Sequence, residues 1–185
     1  MDFYARFLGG KALSYNFQWL RAAAPGAGTP IHADLPYMGR GTQQIYTLWT
    51  PIGRLTPEMG PLALCLGSHR WNKIRDTYTA SDVDRDRIPG VFTTDPAELV
   101  DKFGGRWATT TFEPGDAVII SMQLLHGSLV NQSDCYRISC DTRFQRADEL
   151  IDNRWAGEAP AGHEVLWSAN PQLEPLEVSR KRWGV

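Results

Sequence analysis

Seventeen glycines and twelve prolines interrupt this chain, and the short stretches left between them decide what it can fold into. Glycine weakens the interior of any regular element and proline removes a backbone donor, so such punctuation favours brief strands joined by turns over long helices. The stretches themselves read as strands. Leu13 to Leu20 alternates, with Leu13, Tyr15, Phe17 and Trp19 on one face and Ser14, Asn16 and Gln18 on the other. Gln43–Thr50, Pro61–Leu66, Trp107–Phe112, Ala117–Met122 (as a buried strand) and Arg137–Phe144 are further strands. Pro25–Gly28 is a loop and Glu113-Pro114-Gly115-Asp116 a tight turn. One helix start stands out at Asp95-Pro96-Ala97-Glu98, with Asp95 as N-cap and Pro96 in the first position. Many short strands and little helix predict a mainly β fold, a sandwich or barrel with a few short helices.

A length of 185 residues fits a single domain, 1–185, with a core over about residues 10–147. Asn72–Asp95 is polar and carries seven charged residues between Arg75 and Arg87, which predicts an excursion from the core; the whole of 72–105 reads as a variable insertion. Beyond about residue 147 the pattern is irregular, so 148–185 is expected to be an extension whose 157–175 stretch wraps the surface.

Charge narrows the partners. The formal net charge is −2 and the 19 Lys and Arg are scattered, whereas nucleic-acid binding needs a basic stripe or patch. The basic run Ser179–Trp183 reads as a solvated end. Three cysteines, Cys65, Cys135 and Cys140, cannot all pair with one another and match no zinc-ligand spacing, which favours a reducing compartment. No apolar run approaches the 18 or so residues that span a bilayer, and Met1–Gly10 has no signal-peptide core. The expectation is a cytoplasmic protein acting on a small molecule, with no nucleic-acid or membrane partner and an oligomeric state left open.

The chemistry starts at His32-Ala33-Asp34. Residues two apart in a strand project from one face, so His32 and Asp34 can offer a nitrogen and an oxygen to one cation. Alone, such a pair also fits a surface turn. His69, His126 and His163 are the candidates for a third ligand, and His126, in Leu124-Leu125-His126-Gly127 after the strand 117–122, is best placed. Two His and one carboxylate on one face, with open positions opposite, suit non-haem iron(II) oxygenases. Eleven residues on, Arg137 opens an alternating strand reached through the turn-forming Asn131–Asp134. The chain therefore doubles back, and the two strands either pair or face each other across a sandwich. In both cases Arg137, a planar fork suited to carboxylates, meets the cavity of His126, where it could hold the far end of a short dicarboxylate bound to the metal. That strand has an apolar face (Ile138, Cys140, Thr142, Phe144) and a polar one (Arg137, Ser139, Asp141, Arg143). The polar face either meets solvent or lines an enclosed site in which Asp141 offsets arginine charge.

Several pieces then come in order: His32-x-Asp34, Trp49 within Tyr46–Thr50, Glu58-Met59-Gly60-Pro61-Leu62, Leu66-Gly67-Ser68-His69-Arg70, Glu113–Asp116, and His126-x-Ser128 followed by Arg137. Together they resemble the phytanoyl-CoA dioxygenase family of iron(II)/2-oxoglutarate-dependent oxygenases over residues 30–145. The resemblance implies a double-stranded β-helix, the jelly-roll or cupin-like fold. It implies that His32, Asp34 and His126 ligate Fe(II), that Arg137 with Ser128 binds the distal carboxylate of the cosubstrate 2-oxoglutarate, and that Trp49 lines its pocket; Trp49 serves equally well as a core aromatic. His69 is then a loop residue near the site mouth, and His163, outside the match, a surface residue. Related halogenases need a small residue where Asp34 stands, so the carboxylate implies hydroxylation or a variant oxidation. Members of the family usually have more chain ahead of the first ligand. The other reading is a redox-inactive or non-catalytic cupin-like metal binder.

Overall fold

The structure, a computed structural model, describes residues 1–164 and 172–185; part of the stretch expected to wrap the surface, 157–175, lies outside the described residues. Nine strands form two antiparallel sheets. The larger holds β1 (Ala12–Ser14), β2 (Trp19–Ala23), β4 (Tyr46–Pro51), β7 (Val118–Ser121) and β9 (Arg137–Arg146), in the order β1-β9-β4-β7 with β2 also on β9. The smaller holds β3 (Thr29–His32), β5 (Leu62–Leu66), β6 (Arg106–Ala108) and β8 (His126–Ser128), in the order β3-β8-β5-β6. From β7 the chain crosses to β8 and back to β9, so His126 and Arg137 lie on different sheets and face each other rather than pairing. Five short α-helices complete the fold: α1 (Asp2–Leu8), α2 (Leu35–Met38), α3 (Asn72–Asp76), α4 (Pro96–Phe103) and α5 (Leu176–Trp183). None is long and apolar enough to cross a membrane.

Local chemistry explains the agreements. Asp95 caps α4 by accepting from the Ala97 N–H at 2.9 Å, with Pro96 in the first turn. Gly60 has φ +70°, and a Cβ there would stand 2.5 Å from the Leu129 carbonyl oxygen, so this turn accepts glycine alone.

Four expectations need correction. The alternating stretch 13–20 is two strands, because past Tyr15, whose N–H still donates to the Arg143 carbonyl, the chain leaves the sheet at Asn16–Gln18 and the Phe17 N–H donates to the Trp155 carbonyl instead. The strand within 117–122 is an edge strand with Ile120 as its one buried residue, and Ala117 is exposed. The polar stretch 72–95 is no excursion. It supplies Ile74, Tyr78, Val83, Ile88 and Phe92 to a cluster with Ile31, Leu99 and Leu125, and two of its charges, Asp82 and Asp84, are buried as well. The basic run 179–183 is no free end either: it forms most of α5, Trp183 is buried in that cluster, and Arg180 donates to the Phe92 carbonyl at 2.6 Å and pairs with Glu98.

Candidate metal centre

β3 and β8 are neighbours, and His32 and His126 are direct cross-strand partners whose ring centroids lie 4.4 Å apart. Gly127 permits this approach, since a Cβ there would stand 2.7 Å from the Thr29 carbonyl oxygen. Asp34 arrives differently from the strand argument. β3 ends at His32, and Asp34 has helical φ −74° and ψ −22° as N-cap of α2, so a turn rather than strand period aims its carboxylate. That turn is braced: the Leu35 N–H donates to the Met122 carbonyl at 2.9 Å, and the Ala33 N–H to the buried Tyr78 hydroxyl at 3.0 Å.

One ligand atom from each of His32, Asp34 and His126 lies within 4.8 Å of the others. The protonation pattern makes this a cation site. His32 Nδ1 is 2.8 Å from the Pro30 carbonyl and His126 Nδ1 is 2.9 Å from the Leu124 carbonyl. A carbonyl oxygen can only accept, so each Nδ1 carries hydrogen and donates. A neutral ring then has a bare lone pair on Nε2. Burial, and then the neighbouring His126, lower the His32 imidazole to about 3, keeping it neutral. Both Nε2 atoms stand 3.8 Å from Asp34 Oδ1, so in the neutral form of both rings three acceptors meet with no proton among them. A divalent ion satisfies all three at once, and the residues fit one.

The other carboxylate oxygen is committed to the protein. Asp34 Oδ2 accepts from Thr47 Oγ1 at 2.6 Å and from Arg143 Nη2 at 3.3 Å. Burial alone would raise this carboxyl, but the Arg143 guanidinium, helped by the Thr47 hydrogen bond, outweighs it and holds it well below the ordinary carboxylate range.

A cavity runs from the three ligands to Arg137, bordered by Thr29, Trp49 and Ile120. Arg137 is 2% exposed. Its Nη1 donates to Ser139 Oγ at 2.7 Å and its Nη2 to Ser128 Oγ at 3.1 Å, while Nε has no partner among the described residues. Ser128 also accepts from the Thr29 N–H at 2.8 Å, which ties the guanidinium to the strand carrying His32. Burial lowers the Arg137 guanidinium from its ordinary value, the adjacent Arg21 adds to this, and the site gains from an arriving anion. Trp49 lines the cavity and also packs on Phe112 at 4.8 Å, so the lining and core roles coincide.

The two remaining histidines part company. His69 sits in a turn at Ser68–Arg70 outside the ligand cluster, where the useful residue is Ser68, whose Oγ accepts from the Leu125 N–H at 2.9 Å just before His126. His163 is not a surface residue. It is buried, 3.1 Å from Asp84 Oδ2 and packed on Trp155, and it borders a second cavity beside His32 and Asp34. The irregular segment is held there by Arg154, whose guanidinium pairs with Asp84 and with Asp152.

Thr47 and Arg21 were not singled out from sequence. Thr47 shares its buried face of β4 with Trp49, two residues on, so strand period alone could have found it. Arg21 continues the alternation of Trp19 along β2, and its Nε donates to Asp141 Oδ2 at 2.6 Å.

Residues 5–139 match the family described as phytanoyl-CoA dioxygenase (PhyH), which is most of the chain. The chain belongs to the phytanoyl-CoA dioxygenase family. Its fold is shared with solved structures at low identity. EctD from S. alaskensis in its apo form superposes with a TM-score of 0.62 at 21% identity, over 95% of this chain and 60% of that one. EctD with 2-oxoglutarate and 5-hydroxyectoine gives 0.60 at 20% over 93% and 60%. The non-haem α-ketoglutarate-dependent carbocyclase SnoK from nogalamycin biosynthesis gives 0.58 at 19% over 93% and 63%. This chain thus spans about three fifths of the length of these structures. The shared architecture is the double-stranded β-helix, or jelly roll; SnoK is α-ketoglutarate-dependent, and one EctD structure holds 2-oxoglutarate.

Proposed function

We propose that this member of the PhyH family is an Fe(II)- and 2-oxoglutarate-dependent dioxygenase that hydroxylates a small molecule, releasing succinate and carbon dioxide. His32, Asp34 and His126 hold the iron. Arg137, steadied by Ser128 and Ser139, grips the distal carboxylate of 2-oxoglutarate, and Trp49 walls that pocket. Residues 1–185 are read as one oxygenase domain. The observation that carries the reading is the convergence of two lone-pair nitrogens and a carboxylate oxygen in one cavity with a buried guanidinium.

Bound iron and 2-oxoglutarate supply the oxidation of a C–H bond by dioxygen, one oxygen atom entering succinate and the other the product. The chain's own residues bind, orient and shield. The Pro30 and Leu124 carbonyls fix which nitrogen of each imidazole is bare. Thr47 and Arg143 occupy Asp34 Oδ2 so that Oδ1 faces the two imidazoles. Arg137 is held in place before any anion arrives, which lowers the cost of ordering it. A metal binder without cosubstrate turnover would have no use for a buried guanidinium with an unpartnered Nε in the ligand cavity.

The test is anaerobic addition of iron(II) and 2-oxoglutarate, read by the visible charge-transfer band of the chelated ketoacid. Wild type should develop the band, and Arg137→Ala should need at least tenfold more 2-oxoglutarate to reach half of it, since hydrogen bonds to charged groups contribute about 1.5–3 kcal/mol. Uncoupled succinate formation in air then measures turnover. A wild-type protein that binds iron yet shows no band refutes the oxygenase reading.

A further inference from the structure

The second cavity shares His32, Asp34, Thr29 and Arg21 with the first but is not lined by Arg137. Trp19, Tyr37, Met38 and Val91 give it apolar walls, and Arg21 and Arg143 enter it as cations. Its volume is about 320 Å³, at the small end of the roughly 300–1,000 Å³ of ligand pockets, so it encloses a small body and not a coenzyme A thioester.

Charge singles out the ligand class. Across both cavities three guanidiniums (Arg21, Arg137, Arg143) face two carboxylates (Asp34, Asp141), leaving one positive charge. A ferrous ion and a 2-oxoglutarate dianion together leave that balance unchanged, so the loaded site still lacks one negative charge. The surplus falls on Arg21. Arg143 is 3.3 Å from Asp34 Oδ2 and 3.9 Å from Asp141 Oδ2, which places it between both carboxylates. Arg21 has only a share of Asp141, which takes its Nε at 2.6 Å. Among the described residues nothing pairs with the two terminal nitrogens of Arg21, and with Nε fixed they form a held fork. The Arg21 side chain is 36% exposed, so this fork is reachable from solvent, and an anion of matching shape can take both terminal nitrogens at once.

We propose that this cavity binds the primary substrate, and that the substrate is a small organic acid whose carboxylate is gripped by the terminal nitrogens of Arg21. The inference rests on the oxygenase reading, which makes the cavity beside His32 and Asp34 the place where a C–H bond is oxidised. Arg21 is then the residue that sets substrate class, while Arg137 serves the cosubstrate.

The test uses the protein with iron(II) and 2-oxoglutarate under argon. Phenylacetate, 3-phenylpropionate and hexanoate are titrated against their primary amides, and displacement of the charge-transfer band is read. Acids of fitting length should shift the band while their amides do not. Arg21→Gln should weaken the response to the acids about ten- to hundredfold and leave the 2-oxoglutarate midpoint within about twofold. Amides acting as well as acids, or no acid acting on wild type, overturns the proposal, and that comparison needs no variant to fold. A parallel loss of 2-oxoglutarate affinity in Arg21→Gln also overturns it, because Arg21 would then serve the cosubstrate. A band that never forms is a different failure: it removes the oxygenase reading and this proposal with it.

Discussion

Thr47→Val exchanges a hydroxyl for a methyl of nearly the same shape at a residue 2% exposed, so packing is kept and one hydrogen bond is lost. That bond is the 2.6 Å donation to Asp34 Oδ2, and without it the oxygen retains Arg143 Nη2 at 3.3 Å alone. A hydrogen bond to a buried charged group contributes about 1.5–3 kcal/mol. Protonating Asp34 offers no escape, because the Arg143 guanidinium still favours its charge. For a domain of this size each kcal/mol moves the melting temperature roughly 2–4 °C, so the metal-free variant should melt about 3–12 °C lower in calorimetry. The loss at the site should be larger in kind. Freed from Thr47, the carboxylate can turn and Oδ1 no longer faces both imidazoles. Removing such an outer partner typically weakens metal binding about 10–100-fold. Titration calorimetry with cobalt(II) reads that change directly. A variant that melts lower yet binds cobalt(II) as tightly as wild type would refute the reasoning, since Thr47 would then stabilise the fold without orienting the ligand.

Three further outcomes follow from neighbouring contacts. Tyr78→Phe removes the hydroxyl that accepts from the Ala33 N–H and donates to the Gly90 carbonyl, at 3.0 and 2.6 Å, so urea unfolding should show a loss of about 1–3 kcal/mol for each buried group left unpaired; an unchanged midpoint contradicts this. Arg143→Met leaves Asp34 and Asp141 without their shared cation, costing about 3–5 kcal/mol, and cobalt(II) should raise the melting temperature of this variant more than that of wild type because the ion restores charge beside Asp34; equal shifts would count against it. Burial raises the Asp82 carboxyl, but its bond to Arg40, the Arg85 N–H and Arg154 bring it down to about 2. The folded value lies below the unfolded one of about 3.9, so this stabilisation is whole above about pH 4 and fades as pH falls towards 2. Asp82→Asn should flatten that part of the acid-unfolding curve, and an unaltered curve would show that Asp82 is not its source.

The sequence carries the strand pieces and the site residues more clearly than the pairing that brings them together. Period and punctuation locate β4, β5 and β9 to within a few residues, because each has a buried face or a sharp turn at its end. The N-cap of α4 is local chemistry and is readable from four residues. What brings His32 to His126 is different in kind, a register between strands 94 residues apart in sequence that no window contains. The same limit explains the misreading of 72–95. Its charges are dense in sequence, yet Ile74, Tyr78, Val83, Ile88 and Phe92 all turn to one side once α3 and the turns after it form, and composition cannot show a shared side. α5 is missed because Trp183 and Arg180 find their partners at Tyr78, Phe92 and Glu98, about a hundred residues earlier.

β9 shows why the centre of this fold must be a site rather than an ordinary core. Along its ten residues the buried positions are Arg137, Ser139, Asp141, Arg143 and Gln145, and the apolar alternates Ile138 and Phe144 lie on the less buried face. A sandwich strand normally does the reverse, since burying a charge without a partner costs several kcal/mol. Here each inward group has an address: Arg137 meets Ser128 and Ser139, Asp141 takes Arg21, Arg143 reaches Asp34, and Gln145 accepts from the Tyr15 hydroxyl at 2.7 Å. The addresses are incomplete, because among the described residues Arg137 Nε and Arg143 Nε and Nη1 have no partner. Were β9 only structural, an apolar inner face of the same volume would be at least as stable. A polar inner face with open donors is stable in full only once anions arrive, and the carboxylates that the proposed oxygenase chemistry would bring would meet that need from inside the sandwich.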